Sequence, residues 1–230
     1  METKIYHITD PVTDRDKILE AAEIIRNGGI VAFPTDTVYA IGASLDHNAA
    51  IEKMFEIKNR PKDNPVSVLV GRDLDMHLCI DIINPNNQIC SKFIEAFWPG
   101  PLTVIMPRIL TRVPSIVTGG KLGVGVRQPN NPIAQALLLE ADVPVVAPSA
   151  NISGKPSPTT GQHVIDDFDG KIDMILVGPD ECSGIESTIV DLMGEYPVIT
   201  RPGAVTIDEL QELIPRRVFQ LKEVPEDDSL

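Results

Sequence analysis

The sequence predicts a single α/β domain built around a mixed β-sheet, and three observations carry that prediction. Short apolar runs bounded by Gly and Pro alternate with amphipathic helical stretches along most of the chain. The alternation lacks the strict strand–helix–strand spacing of a purely parallel sheet, which favours a mixed one. Within 230 residues, 43% of them apolar, there is no internal repeat and no long linker, so one large α/β domain is favoured.

In chain order, residues 4–8 read as a short edge strand. Residues 14–27 read as a helix: Ile18, Leu19, Ala22 and Ile25 recur at helical spacing, Thr13 is placed to cap the start, and Gly28-Gly29 ends it. A buried strand over 30–33 closes at Pro34, and the polar turn Thr35-Asp36-Thr37 leads into apolar residues 38–42. A second amphipathic helix covers 48–58, with Ile51, Met54 and Phe55 on one face. After a basic loop at 58–65 come a strand at 66–70 and helices at 73–83 and 87–97. Trp98-Pro99-Gly100-Pro101 makes a tight corner before the strand 102–106. The strand 123–127 passes through Gln128-Pro129-Asn130 to a helix over 132–140, with Pro132 in its first turn. A short strand, 143–146, feeds the loop 147–158, and a helix over 160–168 follows. Strands at 174–177, 187–192 and 197–200 and a helix at 207–213 complete a domain assigned to residues 1–215. Residues 216–230 read as an acidic, flexible tail.

Composition excludes several classes of function. The three cysteines, Cys79, Cys90 and Cys182, are unclustered and odd in number, which argues against a disulfide framework or a structural zinc and for a reducing, cytoplasmic setting. The first residues lack an apolar signal core, and no apolar run is long enough to span a bilayer. A net charge of −13 argues against a surface built to grip nucleic acid phosphates. It leaves room for a local basic cleft: Lys58, Arg60, Lys62 and Arg72 form an island whose only acid is Asp63. That island reads either as an anion site or as solvated surface charge. Neither phosphate-binding glycine motif is present, and no nucleophile elbow is found. The four histidines are scattered without metal-ligand spacing.

The chemistry that remains sits at strand ends. The loop 147–158 packs Ser149, Asn151, Ser153, Lys155, Ser157 and three prolines behind an apolar strand. Prolines stiffen it, and the short polar groups suit it to holding a small polar molecule where open α/β sheets bind ligands. Arg127 and Arg201 each end an apolar strand, where a guanidinium is costly unless it meets an anion or a structural carboxylate. Glu186-Ser187-Thr188 opens a further β segment with two hydroxyls.

Seven stretches in order carry a resemblance: Phe33-Pro34-Thr35-Asp36-Thr37-Val38-Tyr39, the basic loop from Lys58 to Pro65, Trp98-Pro99-Gly100-Pro101-Leu102-Thr103, Val126-Arg127-Gln128-Pro129, Ala147 to Pro158, Gly184 to Thr188, and Arg201-Pro202-Gly203-Ala204. With these the chain resembles the YrdC-like family of L-threonylcarbamoyladenylate synthases (TsaC type), in its short form. The resemblance implies a twisted, open, mixed sheet flanked by helices around a concave ligand cavity. It also implies a nucleotidyltransferase that joins L-threonine, bicarbonate or CO2 and ATP into threonylcarbamoyl-AMP and pyrophosphate. The product serves the N6-threonylcarbamoyl modification of tRNA adenosine and passes to a TsaD-type transferase complex. By the same resemblance, Thr37, Arg127, Ala147 and Ser187 lie around threonine. Arg60, Asn64, Ser149, Ser157 and Arg201 lie around ATP, with Lys58 near its phosphates. Where relatives often carry a histidine and a threonine, this chain has Leu69 and Gly123, both expected near the substrate.

The residue chemistry is consistent with that expectation. A carbamate formed from an amine and CO2 can attack the α-phosphate without a protein nucleophile, and none is evident. No carboxylate pair for a metal stands out, so Mg2+ is expected to arrive with ATP, and no protein metal site is expected. Two other readings compete: an RNA-binding module that uses the basic patch, and an enzyme acting on carbamoyl phosphate like a domain of hydrogenase-maturation proteins. The acidic balance and the scarcity of aromatics (4%) weigh against the first.

Overall fold

The computed structural model describes residues 2–81, 83–214 and 220–221. Its elements in chain order are β1 (Lys4–His7), α1 (Arg15–Arg26), β2 (Val31–Phe33), β3 (Ala40–Ser44), α2 (Asn48–Ile57), β4 (Val68–Leu69), a 3-10 helix (Asp73–Leu78), α3 (Asn87–Phe97), β5 (Leu102–Pro107) and β6 (Gly123–Arg127). There follow α4 (Pro132–Ala141), β7 (Val145–Val146), α5 (Gly161–Phe168), β8 (Met174–Val177), β9 (Thr188–Asp191), β10 (Val198–Arg201), α6 (Ile207–Leu213) and β11 (Gln220–Leu221).

The strands form one sheet in the order β1-β8-β2-β3-β7-β4-β6-β5-β9-β10-β11. β2 and β3, β3 and β7, β7 and β4, β6 and β5, and β9 and β10 pair antiparallel; the other neighbours pair in parallel. The expected mixed sheet is therefore the one observed.

Period-two alternation explains how this sheet is buried. Ile30, Ala32, Ile41, Val68, Val146 and Ile175 face one core, which the apolar faces of α2, α3, α5 and α6 complete. Their chain neighbours Val31, Phe33, Ala40, Leu69, Val145 and Met174 face a second core, filled by α1 and α4. Inner strands buried on both faces read as continuous apolar runs, and each large apolar side chain so buried contributes about 1.5–3 kcal/mol. The second core ends at Leu69. Beyond it, β6, β5 and β9 turn Arg127, Thr103 and Ile189 to that same face, while Val126, Val104 and Val190 belong to the first core. The concave surface lies on this part of the sheet.

Several boundaries differ from expectation. The helix expected over 73–83 is a six-residue 3-10 helix, because the backbone turns away to pair with the end of β5. Ile80 bridges Arg108, and the Asp81 amide donates to the Pro107 carbonyl at 2.7 Å. Thr13 does not cap α1; its hydroxyl donates to the Asp10 carbonyl, and Asp14 occupies the N-cap position without a side-chain cap bond. Gly28 ends that helix at φ +80°, where a residue without Cβ is favoured. Inside the stretch expected to be a flexible tail, Gln220–Leu221 pairs in parallel with β10; residues 215–219 and 222–230 lie outside the described residues.

Candidate active site

The chain leaving β2, β7 and β6 and the chain entering β4 and β9 surround a hollow that is open to solvent on one side. Thr37, Arg127, Ala147 and Ser187 line it, together with Arg60, Ser149 and Arg201. Residues from widely separated parts of the chain, all expected at the site, therefore share one cavity. Lys58, Asn64 and Ser157 do not line it.

The turn after β2 is shaped by its own hydroxyl. Thr35 Oγ1 donates to the Val38 carbonyl at 2.6 Å and accepts from the Thr37 amide at 3.2 Å, replacing strand pairing where the chain leaves the sheet. This turn delivers Asp36 and Thr37 to Arg127. Arg127 is only 6% exposed. Its Nε donates to the Gly100 carbonyl at 3.0 Å, Nη1 to Thr37 Oγ1 at 2.9 Å, and Nη2 to Asp36 Oδ1. Burial lowers the pKa of Arg127, and the Asp36 carboxylate opposes that shift. Of five N–H donors, two remain, one on each terminal nitrogen, which is the number a carboxylate takes as a bidentate partner.

The basic loop and the loop after β7 are joined by Lys58. Its side chain is buried, and Nζ donates to the Ser149 carbonyl at 2.5 Å and to the Asn151 carbonyl. Burial first, and the nearby Arg60 charge second, pull its ammonium down to about 7. Lys58, expected at the ATP phosphates, is thus committed to backbone carbonyls beneath the loop. It gives Ser149 its place, while Ser149 Oγ donates to Asn151 Oδ1 at 2.6 Å.

Arg60 reaches the hollow from the same loop. Nε donates to the Asn64 carbonyl at 3.2 Å, and Nη2 donates to Asn64 Oδ1 at 2.8 Å and the Pro65 carbonyl at 2.7 Å. Asn64 therefore braces the guanidinium, and Nη1 is left to meet an anion. Lys62 and Arg72, the rest of the basic island, do not line the hollow. Arg72 pairs with Asp142 at 3.3 Å with both side chains well exposed, a surface pair worth about 0–1 kcal/mol.

On the opposite loops, Arg201 donates from Nε and Nη2 to the Ser187 carbonyl, at 3.1 and 2.9 Å, and from Nη2 to Ser187 Oγ at 2.9 Å. Its Nη1 lies 2.5 Å from Glu186 Oε2. Ser157 Oγ donates to the other oxygen, Glu186 Oε1, at 2.8 Å. Two residues expected around ATP are thus held by one carboxylate. The turn Arg201-Pro202-Gly203-Ala204 docks directly on this segment. The Ala204 amide donates to the Glu186 carbonyl at 3.0 Å, and a Cβ on Gly203 would lie 2.3 Å from that oxygen. Burial lowers the pKa of Arg201, and Glu186 opposes it.

Sequence reasoning did not single out Asp36, Thr103 or Glu186 as site residues. Thr103 Oγ1 lies 2.9 Å from Ser187 Oγ; its signal was a hydroxyl on the alternate face of an otherwise apolar strand. Asp36 carried a signal too, a carboxylate between two threonines just past a buried strand. Glu186 had none that separates it from a solvated acid. Leu69 lines the hollow and lies in register beside Arg127 on the neighbouring strand. Gly123, expected near the substrate, does not line it: a Cβ there would meet Ile105 and Met193, four residues along the strand from Arg127 and about 13 Å away.

What lines the hollow is donors rather than nucleophiles. No histidine lines it. Burial pushes the Cys182 thiol up to about 11 and those of Cys79 and Cys90 up to about 12, so all three are protonated at neutral pH. Among the described residues, no three His, Cys, Asp or Glu side chains come together as metal ligands. Also among them, no helix is long and apolar enough to cross a membrane.

A mixed α/β sheet here carries three guanidiniums and several hydroxyls in one hollow, an arrangement whose chemistry suits a small anionic ligand. A family model described as "Telomere recombination", covering Sua5, YciO and YrdC proteins, matches residues 23–203. The chain belongs to this family. It is 39% identical over 217 residues to a Bacillus subtilis protein named threonylcarbamoyl-AMP synthase, covering 93% of this chain and 62% of that one. It also superposes on the Pyrococcus abyssi Sua5 structure complexed with L-threonine, with a TM-score of 0.88 at 39% identity, covering 95% of this chain and 63% of that one. The Escherichia coli YciO structure matches with a TM-score of 0.77 at 26% identity, covering 91% of this chain and 98% of that one. The chain therefore spans about 60% of the length of the Bacillus and Pyrococcus relatives.

Proposed function

We propose that this chain is a nucleotidyltransferase that makes L-threonylcarbamoyl-AMP and pyrophosphate from L-threonine, CO2 or bicarbonate, and ATP, for threonylcarbamoyl modification of tRNA by a TsaD-type transferase. The observation that carries the reading is the convergence of Arg60, Arg127 and Arg201, with Ser149 and Ser187, on one hollow. Relatives named threonylcarbamoyl-AMP synthase, and a solved relative complexed with L-threonine, supply the chemistry that such a hollow would serve.

In this reading the two remaining donors of Arg127 take the α-carboxylate of threonine, with Thr37, Ala147 and Ser187 beside it. Arg60 through Nη1, Ser149 and Arg201 meet the nucleotide; Asn64 acts one step back by holding Arg60, and Ser157 joins once the nucleotide displaces Glu186 from it and from Arg201. The uncharged amine of threonine adds to CO2: a C–N bond forms, one C=O π bond opens onto oxygen, and the proton lost from nitrogen passes to solvent, leaving a carbamate. A carbamate oxygen then attacks the α-phosphorus of ATP, and the bond to the bridging oxygen breaks to release pyrophosphate. Holding the two reactants in line supplies an effect of about 7–11 kcal/mol, and fixed guanidiniums offset charge on the transferring phosphoryl group. The carboxylates nearest the hollow, Asp36 and Glu186, are both paired with arginines. Mg2+ accordingly enters as part of the MgATP substrate, held by its phosphates.

The test is incubation of the protein with labelled threonine, bicarbonate and MgATP. Pyrophosphate release that requires threonine, with label in an adenylate, supports the reading; release without threonine, or none, overturns it.

A further inference from the structure

We infer that Asp36 is a positioning residue for the amino-acid substrate, acting through Arg127 to aim its two unused donors into the hollow. This inference rests on the reading of Arg127 as the group that takes the substrate carboxylate.

Asp36 has a single oxygen engaged. Oδ1 accepts from Arg127 Nη2 and from the Asn130 amide at 3.1 Å, so it ties the turn after β2 to the chain leaving β6. Those two segments carry Thr37 and Arg127. Oδ2 is buried without a hydrogen-bond partner. A buried carboxylate oxygen left unpaired works against folding, and a buried ion pair is weak evidence for stability. Compensating the buried guanidinium accounts for a charge here but not for an orphaned oxygen, and the one engaged oxygen also orients the guanidinium. With only the Gly100 carbonyl and Thr37 Oγ1 as partners, the guanidinium plane would keep contacts to Nε and Nη1 alone. The contact to Nη2 fixes the plane and leaves one N–H on each terminal nitrogen. The same carboxylate is the principal charge opposing the cost of burying Arg127. Asp36 does not itself line the hollow, so it touches the substrate only through the arginine.

The experiment compares the full chain with Asp36→Asn, Asp36→Glu, Arg127→Lys and the double variant Asp36→Asn/Arg127→Lys. KM for threonine and KM for ATP are measured separately by pyrophosphate release, and folding is followed by circular dichroism. Asp36→Asn keeps the shape and removes the charge. Asp36→Glu keeps the charge but shifts it by one methylene, and serves if the first variant does not fold. The expected result is a rise in threonine KM of roughly ten- to a hundredfold, the loss of one charge-assisted contact, with ATP KM changed less than about twofold. The double variant should show the threonine KM of Arg127→Lys alone, because the two residues act as one unit. Unchanged threonine KM in a folded variant overturns the inference. So does a parallel rise in both KM values, or an additive double variant. If the unaltered chain makes no threonine-dependent pyrophosphate, the proposed function fails instead, so the two failures are distinguishable.

Discussion

Replacing Arg127 with lysine tests whether donor number, rather than charge, is what the site needs. The guanidinium already serves three protein acceptors, the Gly100 carbonyl, Thr37 Oγ1 and Asp36, and has two donors left, which the proposed function gives to threonine. A lysine ammonium has three donors in all. It can compensate Asp36, so the buried acid is not stranded, but it cannot also hold the other two acceptors and grip a carboxylate with two bonds. At least one charge-assisted bond to substrate is lost, worth about 1.5–3 kcal/mol, or roughly ten- to 150-fold in KM for threonine. Arg127→Ala is a poorer probe, since leaving Asp36 uncompensated costs about 3–5 kcal/mol of stability and confounds binding with folding. The assay is pyrophosphate release against threonine concentration at saturating MgATP, with a thermal melt alongside. An Arg127→Lys protein that folds and keeps the original threonine KM would refute the donor-count argument.

Three further outcomes are expected. Under the proposed function, Glu186→Gln frees Arg201 and Ser157 from a carboxylate that the nucleotide would displace; ATP should then bind up to about fivefold more tightly, the most a partly exposed ion pair of at most ~1 kcal/mol allows. Weaker ATP binding by titration calorimetry would show that Glu186 helps rather than competes. Arg60→Ala should lower turnover at least about tenfold, while Arg72→Ala, a surface pair away from the hollow, should leave it unchanged; equal losses would merge the two halves of the basic island. Lys58 has a folded pKa of about 7 against 10.5 when free. Below 7 both states hold the proton and the full cost of burying it applies; between 7 and 10.5 the folded state sheds it first, so stability should rise with pH. Urea melts should show the original protein gaining on Lys58→Met across that window, and a flat difference would remove Lys58 as the titrating group.

What was legible in the sequence was local. Helix 87–97 and strand 123–127 match α3 and β6 residue for residue, because apolar spacing of 3.6 or 2 depends on neighbours within a turn or a pleat. Arg127 and Arg201 stood out because a guanidinium closing an apolar strand is costly without a partner, and both reach the hollow. Tertiary structure alone decided which partner each polar group has. Lys58 meets the carbonyl of Ser149, Arg127 meets Asp36, and Glu186 meets Ser157 and Arg201. Those partners are separated along the chain but brought together by strand order. The shortened helix after β4 and the strand at Gln220–Leu221 were equally invisible, since in each the backbone pairs with a remote strand. Sequence pattern sets what each segment prefers, whereas the sheet sets whom each side chain meets.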